Sequence, residues 1–332
     1  MKSIIIGILF FSSSVIHAQS YLNQASCTST DIRETNPKIK NSETLKKHFS
    51  TPRNQDTIGW CYAFAASDFL TAEIGTPVSA LHASIIYNSR TYQSPDRRTD
   101  AENYLKSNGT FKEVYESGWS SNAVTDIQNN GWVCTEESLP FDVDRPYDIK
   151  ALIDFLESKK HLAESGYYRN TLCHEVSQQL EEYALTSDDV NQIVDSMARQ
   201  NLNETLEVFA NKACKDRIQP IPKINVKWVD QNQHTPTQLL EKINNELNNG
   251  SPVQLSYQPK YVTTSTGDFY HASMVIGRRW NNGRCEYNVR NSWGKLCATY
   301  KQGIDCNKEE GSFWMSEGDL IRSSAGFYHV QK

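Results

Sequence analysis

The sequence lacks the marks of several common chemistries. It has no Gly-x-Ser-x-Gly motif, which removes the usual elbow of a serine hydrolase. It has no Cys-x-x-Cys pair. His174-Glu175 opens like a zinc-peptidase motif, but Gln178 stands where the second histidine ligand must be, so a zinc site is disfavoured. No basic run stands out, and the formal net charge is -5, which argues against nucleic acid as a partner. Beyond the N-terminal apolar run, no segment is long and apolar enough to span a bilayer.

The chain has 332 residues, 38% of them hydrophobic, enough for one large or two small domains with a substantial core. Its N-terminus reads as a signal peptide over residues 1–18. Lys2 supplies the positive charge, Ile4 to Phe11 the apolar run, and Ile16-His17-Ala18 the cleavage site before Gln19. The protein is therefore expected to be exported and free of the membrane after cleavage. In an oxidising compartment most of the eight cysteines should pair.

The most informative stretch is Asn54-Gln55-Asp56-Thr57-Ile58-Gly59-Trp60-Cys61-Tyr62-Ala63-Phe64. Tyr62 to Leu70 holds helix formers and no breaker, and the next breakers are Gly75 and Pro77. This predicts a helix with Cys61 at its N-terminus. Unpaired N–H groups and the positive end of the dipole favour a thiolate there, the form of cysteine that attacks carbonyls.

This stretch resembles the active-site segment of papain-like cysteine peptidases, Gln-Gly-x-Cys-Gly-Ser-Cys-Trp-Ala-Phe. Gln55, Gly59, Cys61, Ala63 and Phe64 match in register, while Asp56 replaces a glycine, Trp60 a small residue and Tyr62 a tryptophan. Ile58 stands where the family has a half-cystine, so one family disulfide cannot form.

A nucleophilic cysteine needs a base and a group that orients it. Tyr270-His271-Ala272 begins a run, Ser273 to Gly277, that reads as a buried strand, which places His271 at a strand start. The family writes His-Ala-x-x-x-x-Gly here. Asn291-Ser292-Trp293-Gly294 completes its other signature. The resemblance implies that Asn291 orients His271, that Trp293 shields their hydrogen bond, and that Gln55 joins the Cys61 N–H in the oxyanion hole. It further implies a resting thiolate–imidazolium pair. Gly118, Trp293 and Trp60 are the expected substrate contacts. His82, also followed by Ala-Ser, has no such partner downstream and reads as a packing or surface residue.

His271 and Asn291 follow Cys61 by 210 and 230 residues, against about 130 to 150 in the family. The excess matches residues 145–220, which have no counterpart in the family core. They read as helices: Ile149, Leu152, Ile153 and Leu156 form one face, and Val190, Ile193, Val194 and Met197 another behind a Ser187 cap. Residues 19–50 are polar and aperiodic, too short for the family's prosegment. Residues 90–109 read as loops. Asn130-Gly131 reads as a helix stop, Thr237 to Asn249 as a helix, and Val253 to Tyr257 as a strand.

The implied fold is α+β. A helical domain (51–144) carries Cys61, a β-rich domain (221–332) carries His271 and Asn291, and the helical insertion (145–220) either governs access to the cleft or packs on the far side. No metal or organic cofactor is needed, and the expected partner is a protein or peptide substrate. With Cys61 free, seven cysteines remain, so at least one more is unpaired within the chain. Cys173–Cys214 and Cys297–Cys306 are the expected disulfides, each inside one inserted segment. The competing readings are a non-catalytic papain-like binding protein with a blocked cleft, suggested by Trp60 and the large insertion, and a transpeptidase or amidase using the same site.

Overall fold

The computed structural model describes residues 20–108, 116–141, 149–166 and 169–331. The expected signal peptide lies outside the described residues. Behind it the polar N-terminal segment is ordered by local capping. Strand β1 (Thr30–Asp31) leads into three short helices, α1 (Ile32–Thr35), α2 (Pro37–Lys40) and α3 (Glu43–Ser50). Asp31, Asn36 and Ser42 cap them through their side chains. Ile32, Ile39, Leu45 and Phe49 each bury one side chain. Helices of one or two turns are too short for an apolar period to register, which is why the segment reads as aperiodic.

Helix α4 (Cys61–Ile74) begins at the expected residue and is buried on all sides from Tyr62 to Ala72, the pattern of a core helix. It ends at Gly75, whose φ of 88° is the left-handed conformation glycine tolerates. Helix α5 (Ala80–Gln93) follows, capped by Ser79.

The expectation of loops over 90–109 is wrong. Helix α5 continues to Gln93, and α6 spans Pro95–Asn108. Polarity misled here, because ion pairs support this polar helix: Arg97 to Asp126 at 2.8 Å and Arg98 to Glu102 at 2.8 Å. Asp126 belongs to α7 (Ser120–Asn130), which stops at Gly131 as predicted.

The described residues of the insertion form four α-helices before its exit strand: α8 (Ile149–Ser165), α9 (Arg169–Gln179), α10 (Ser187–Arg199) and α11 (Leu202–Ala213). The predicted apolar faces are its buried faces. The cap of α10 is Thr186, one residue before the expected Ser187, in a capping box with Asp189. Helix α10 packs on α8 and α9, and α11 packs on α5. Its exit is tied down by β2 (Val133–Cys134) pairing with β3 (Arg217–Ile218). That anchor sits where Ser79 N–H donates to Cys134 O, near the C-terminal end of α4. The chain enters the insertion after Phe141, whose ring packs on Trp60 and Phe64 at the head of α4.

The rest of the chain builds an antiparallel sheet. Its strands are β4 (Val226–Asp230), β5 (Val253–Tyr257), β6 (His271–Asn281), β7 (Arg284–Arg290), β8 (Asp305–Asn307), β9 (Ser312–Ser316) and β10 (Ser324–Val330). They run in the order β4-β10-β5-β6-β7-β9-β8, with β1 added on β6. Helix α12 (Pro236–Asn248) matches the predicted helix within a residue and carries a Thr235–Gln238 capping box. Helix α13 (Glu317–Ser323) joins the last two strands. The α4 helix lies against β6, so one layer contact joins the helical and sheet halves. The fold is α+β, as expected.

Three disulfides cross-link the chain: Cys27–Cys285, Cys134–Cys214 and Cys297–Cys306. Such bonds belong to an oxidising, non-cytosolic compartment. The expected Cys297–Cys306 bond is present. The expected Cys173–Cys214 bond is not, because Cys214 reaches back to Cys134 on β2. Cys173 is free, and its thiol donates to Asn191 Oδ1 at 3.3 Å. Among the described residues no helix is long and apolar enough to cross a membrane.

Candidate active site

The loop before α4 is shaped by contacts with residues 291–294. Gln55 N–H donates to Ser292 O at 2.8 Å, Gly294 N–H donates to Arg53 O at 2.7 Å, and Asn54 bridges Trp293. Ser292 Oγ donates to Gln55 Oε1 at 2.6 Å, and Gln55 Nε2 donates to Ile58 O at 2.9 Å. The Gln55 amide is therefore held at both ends, with its second N–H not needed by either bond. Asp56, standing at the family's glycine, has a φ of 53°. Its hydrogen bonds with Asn54 support that turn without a glycine. Gly59 is required, since a Cβ there would stand 2.1 Å from Glu116 O.

Cys61 opens α4 and is partly exposed. The backbone N–H groups of Ala272, Tyr62 and Cys61 itself act on its sulfur. Ala272 follows His271, so the thiol sits against the start of β6. His271 is the first residue of that strand, as its sequence context predicts, and is buried. Its Nε2 donates to Asn291 Oδ1 at 2.7 Å, which leaves Nδ1 as the basic nitrogen.

Asn291 is itself fixed from several sides. Its Oδ1 also accepts from Ser292 N–H at 2.8 Å and from Ser273 Oγ at 3.2 Å, while its Nδ2 donates to Tyr300 Oη at 2.7 Å. The Trp293 ring lies against the His271 ring, with centroids 4.3 Å apart and the planes tilted by 35°. Ser292, Ser273 and Tyr300 were not singled out from the sequence. Ser292 lies inside the quoted signature, but nothing local reveals that Tyr300 folds back onto Asn291.

Burial pushes the Cys61 thiol up, against the pull of the three N–H groups. Burial also lowers His271 to about 4, against the Asn291 bond, which raises it. Taken singly, each group is shifted toward its uncharged form, and at Cys61 this runs against the direction a helix N-terminus gives.

The three expected substrate contacts separate. Trp293 lies against the base. Gly118 lies under Tyr87, where a Cβ would stand 2.7 Å from the ring, and the following Trp119 is 58% exposed. Trp60 is a correction: it is fully buried, packed edge-on against Phe141, with no surface to offer a substrate. An apolar indole at the head of a core helix turns inward. His82 is structural as expected, accepting from Cys134 N–H at 2.9 Å.

No family model and no curated protein matches this sequence. The solved structures offer distant likenesses. One is digestive procathepsin L 3 of the Tenebrio molitor larval midgut, at 12% identity and a TM-score of 0.44, covering 95% of this chain and 73% of that one. Another comes from a study of the mite allergens Blo t 1 and Der p 1, at 13% identity and 0.44, covering 96% and 74%. A third is SERA5E of Plasmodium falciparum, at 11% identity and 0.43, covering 84% and 86%.

Proposed function

We propose that this chain is an exported, papain-like cysteine endopeptidase. One observation carries the reading: His271, fixed through Nε2 by Asn291 and with the Trp293 ring against its own, starts β6, the strand against which α4 packs with Cys61 at its head. The imidazole of His271 and the thiol of Cys61 then act as an acid–base pair on a bound substrate. His271 Nδ1 takes the Cys61 proton as the sulfur attacks the scissile carbonyl. Negative charge on the tetrahedral intermediate is met by the Cys61 backbone N–H and the Gln55 Nε2–H. His271 then gives its proton to the leaving amine, and water, activated by the same imidazole, hydrolyses the thioester. Gly118 and Trp119 form one wall for the peptide.

The burial of Trp60 removes one of the two reasons to read the cleft as blocked, the other being the large insertion. The signal-peptide pattern and the disulfides support export. The test is hydrolysis of a peptide library by the purified protein and by Cys61→Ala, with a free amine added as competing acceptor. Loss of cleavage in Cys61→Ala and release of free carboxyl termini are expected. Cleavage that survives Cys61→Ala would sink the proposal, and products capped by the amine would reassign the enzyme as a transpeptidase.

A further inference from the structure

Helix α4 carries a carboxylate in an otherwise apolar interior. Asp68 stands seven residues after Cys61, two turns along the same face, and is 3% exposed. Its Oδ1 accepts from Arg53 Nη1 at 2.7 Å and from His48 Nε2 at 2.9 Å, and its Oδ2 accepts from Arg290 Nε at 2.9 Å. Arg290 is the last residue of β7, directly before Asn291. Its remaining N–H groups donate to the carbonyls of His48, Phe49 and Thr51. Arg53 also donates to Glu136 Oε2 at 2.9 Å, and precedes the loop that holds Gln55.

We propose that the Asp68–Arg290–Arg53–His48 cluster is the positioning device that sets Cys61 and Gln55 against His271 and Asn291. The proposal rests on the peptidase reading. The two halves of the site come from different layers, α4 and the sheet, and their reacting atoms must meet within hydrogen-bond reach. A narrow void lies at the cluster, lined by Ala65, Asp68, Ala272, Arg290 and Asn291. The charged bonds are directional and each runs to a segment that ends in a site residue: α4 to Cys61, Arg290 to Asn291, Arg53 to Gln55. Stability alone is a poor account of the cluster, since buried ion pairs are often replaceable by apolar residues without loss. Burial pushes the Asp68 carboxyl up, but Arg290 and Arg53 pull it further the other way, so it stays ionised across the working range.

The experiment compares the full-length protein with Asp68→Asn and His48→Phe, each normalised by the number of Cys61 thiols that a covalent inhibitor labels. Asp68→Asn keeps the shape but loses the charge that orients two arginines. The expected result is a fall in kcat of about ten- to a hundredfold per labelled site, with KM within about twofold, because misplacement by an ångström acts on the reaction rather than on binding. Should Asp68→Asn fail to fold, His48→Phe carries the test. It removes one of the three donors on Asp68 and keeps a ring against Phe49, so a fall in kcat of about threefold or more is expected. An unchanged kcat per labelled site in the folded variant overturns the positioning role. Cys61→Ala runs alongside, and turnover that survives it overturns the peptidase reading instead.

Discussion

Removing the Asn291 side chain is the sharpest test of how the base is held. Asn291 Oδ1 takes the His271 Nε2 proton at 2.7 Å in a site where the imidazole must become cationic during turnover. A hydrogen bond to a group that gains charge contributes about 1.5–3 kcal/mol. At 1.36 kcal/mol per decade that is a loss of roughly 10- to 150-fold in kcat/KM for Asn291→Ala. Two further effects point the same way. Without Oδ1 nothing selects the tautomer that leaves Nδ1 basic, and Ser292 N–H loses its acceptor beside the Gln55 loop. Tyr300→Phe is the matched control. It leaves the His–Asn bond intact and removes only the Asn291 Nδ2 acceptor, so a loss of about fivefold is expected, one neutral hydrogen bond's worth. The assay is kcat/KM on a fluorogenic peptide, normalised by titration of Cys61. Asn291→Ala within twofold of the parent, or Tyr300→Phe worse than Asn291→Ala, would refute the reasoning.

The pH profile follows from the burial of the base. His271 is lowered to about 4, so it is neutral and able to accept a proton above that pH. Activity should persist at pH 5 and fall as pH drops through about 4, and an acid limb near the ordinary histidine value of about 6.5 would contradict this. Gln55→Ala should lower kcat by about 10²- to 10³-fold, as loss of an oxyanion donor does elsewhere; a change confined to KM would remove Gln55 from the oxyanion hole. Peptide mapping without reduction should recover Cys27–Cys285, Cys134–Cys214 and Cys297–Cys306, with Cys61 and Cys173 alkylated as free thiols. A Cys173–Cys214 peptide would contradict the fold of the insertion.

The sequence by itself determined whatever depends on neighbours along the chain. A breaker-free run after Cys61 set the start of α4, Asn130-Gly131 set the end of α7, and the apolar faces of 149–156 and 190–197 set α8 and α10. Those features obey period and capping, which need only a few consecutive residues. The set Gln55, Cys61, His271 and Asn291 was legible because each sits in a short signature with its own local logic. Tertiary structure decided everything that joins distant segments. Cys134 pairs with Cys214 rather than leaving it to Cys173 because β2 and β3 bring those two chains together. Cys27 finds Cys285 across 258 residues. Trp60 turns into the core although it adjoins the nucleophile. Asp68 is the one charged residue from Tyr62 to Leu70, and nothing in its neighbours along the chain names its partners. Its three partners come from α3, from the loop before α4 and from the end of β7, and only the packing of those elements makes one buried centre of them. Burial likewise shifts Cys61 and His271 toward their uncharged forms. A helix N-terminus favours a thiolate by a local rule, but desolvation depends on what the whole fold stacks around the sulfur and the ring.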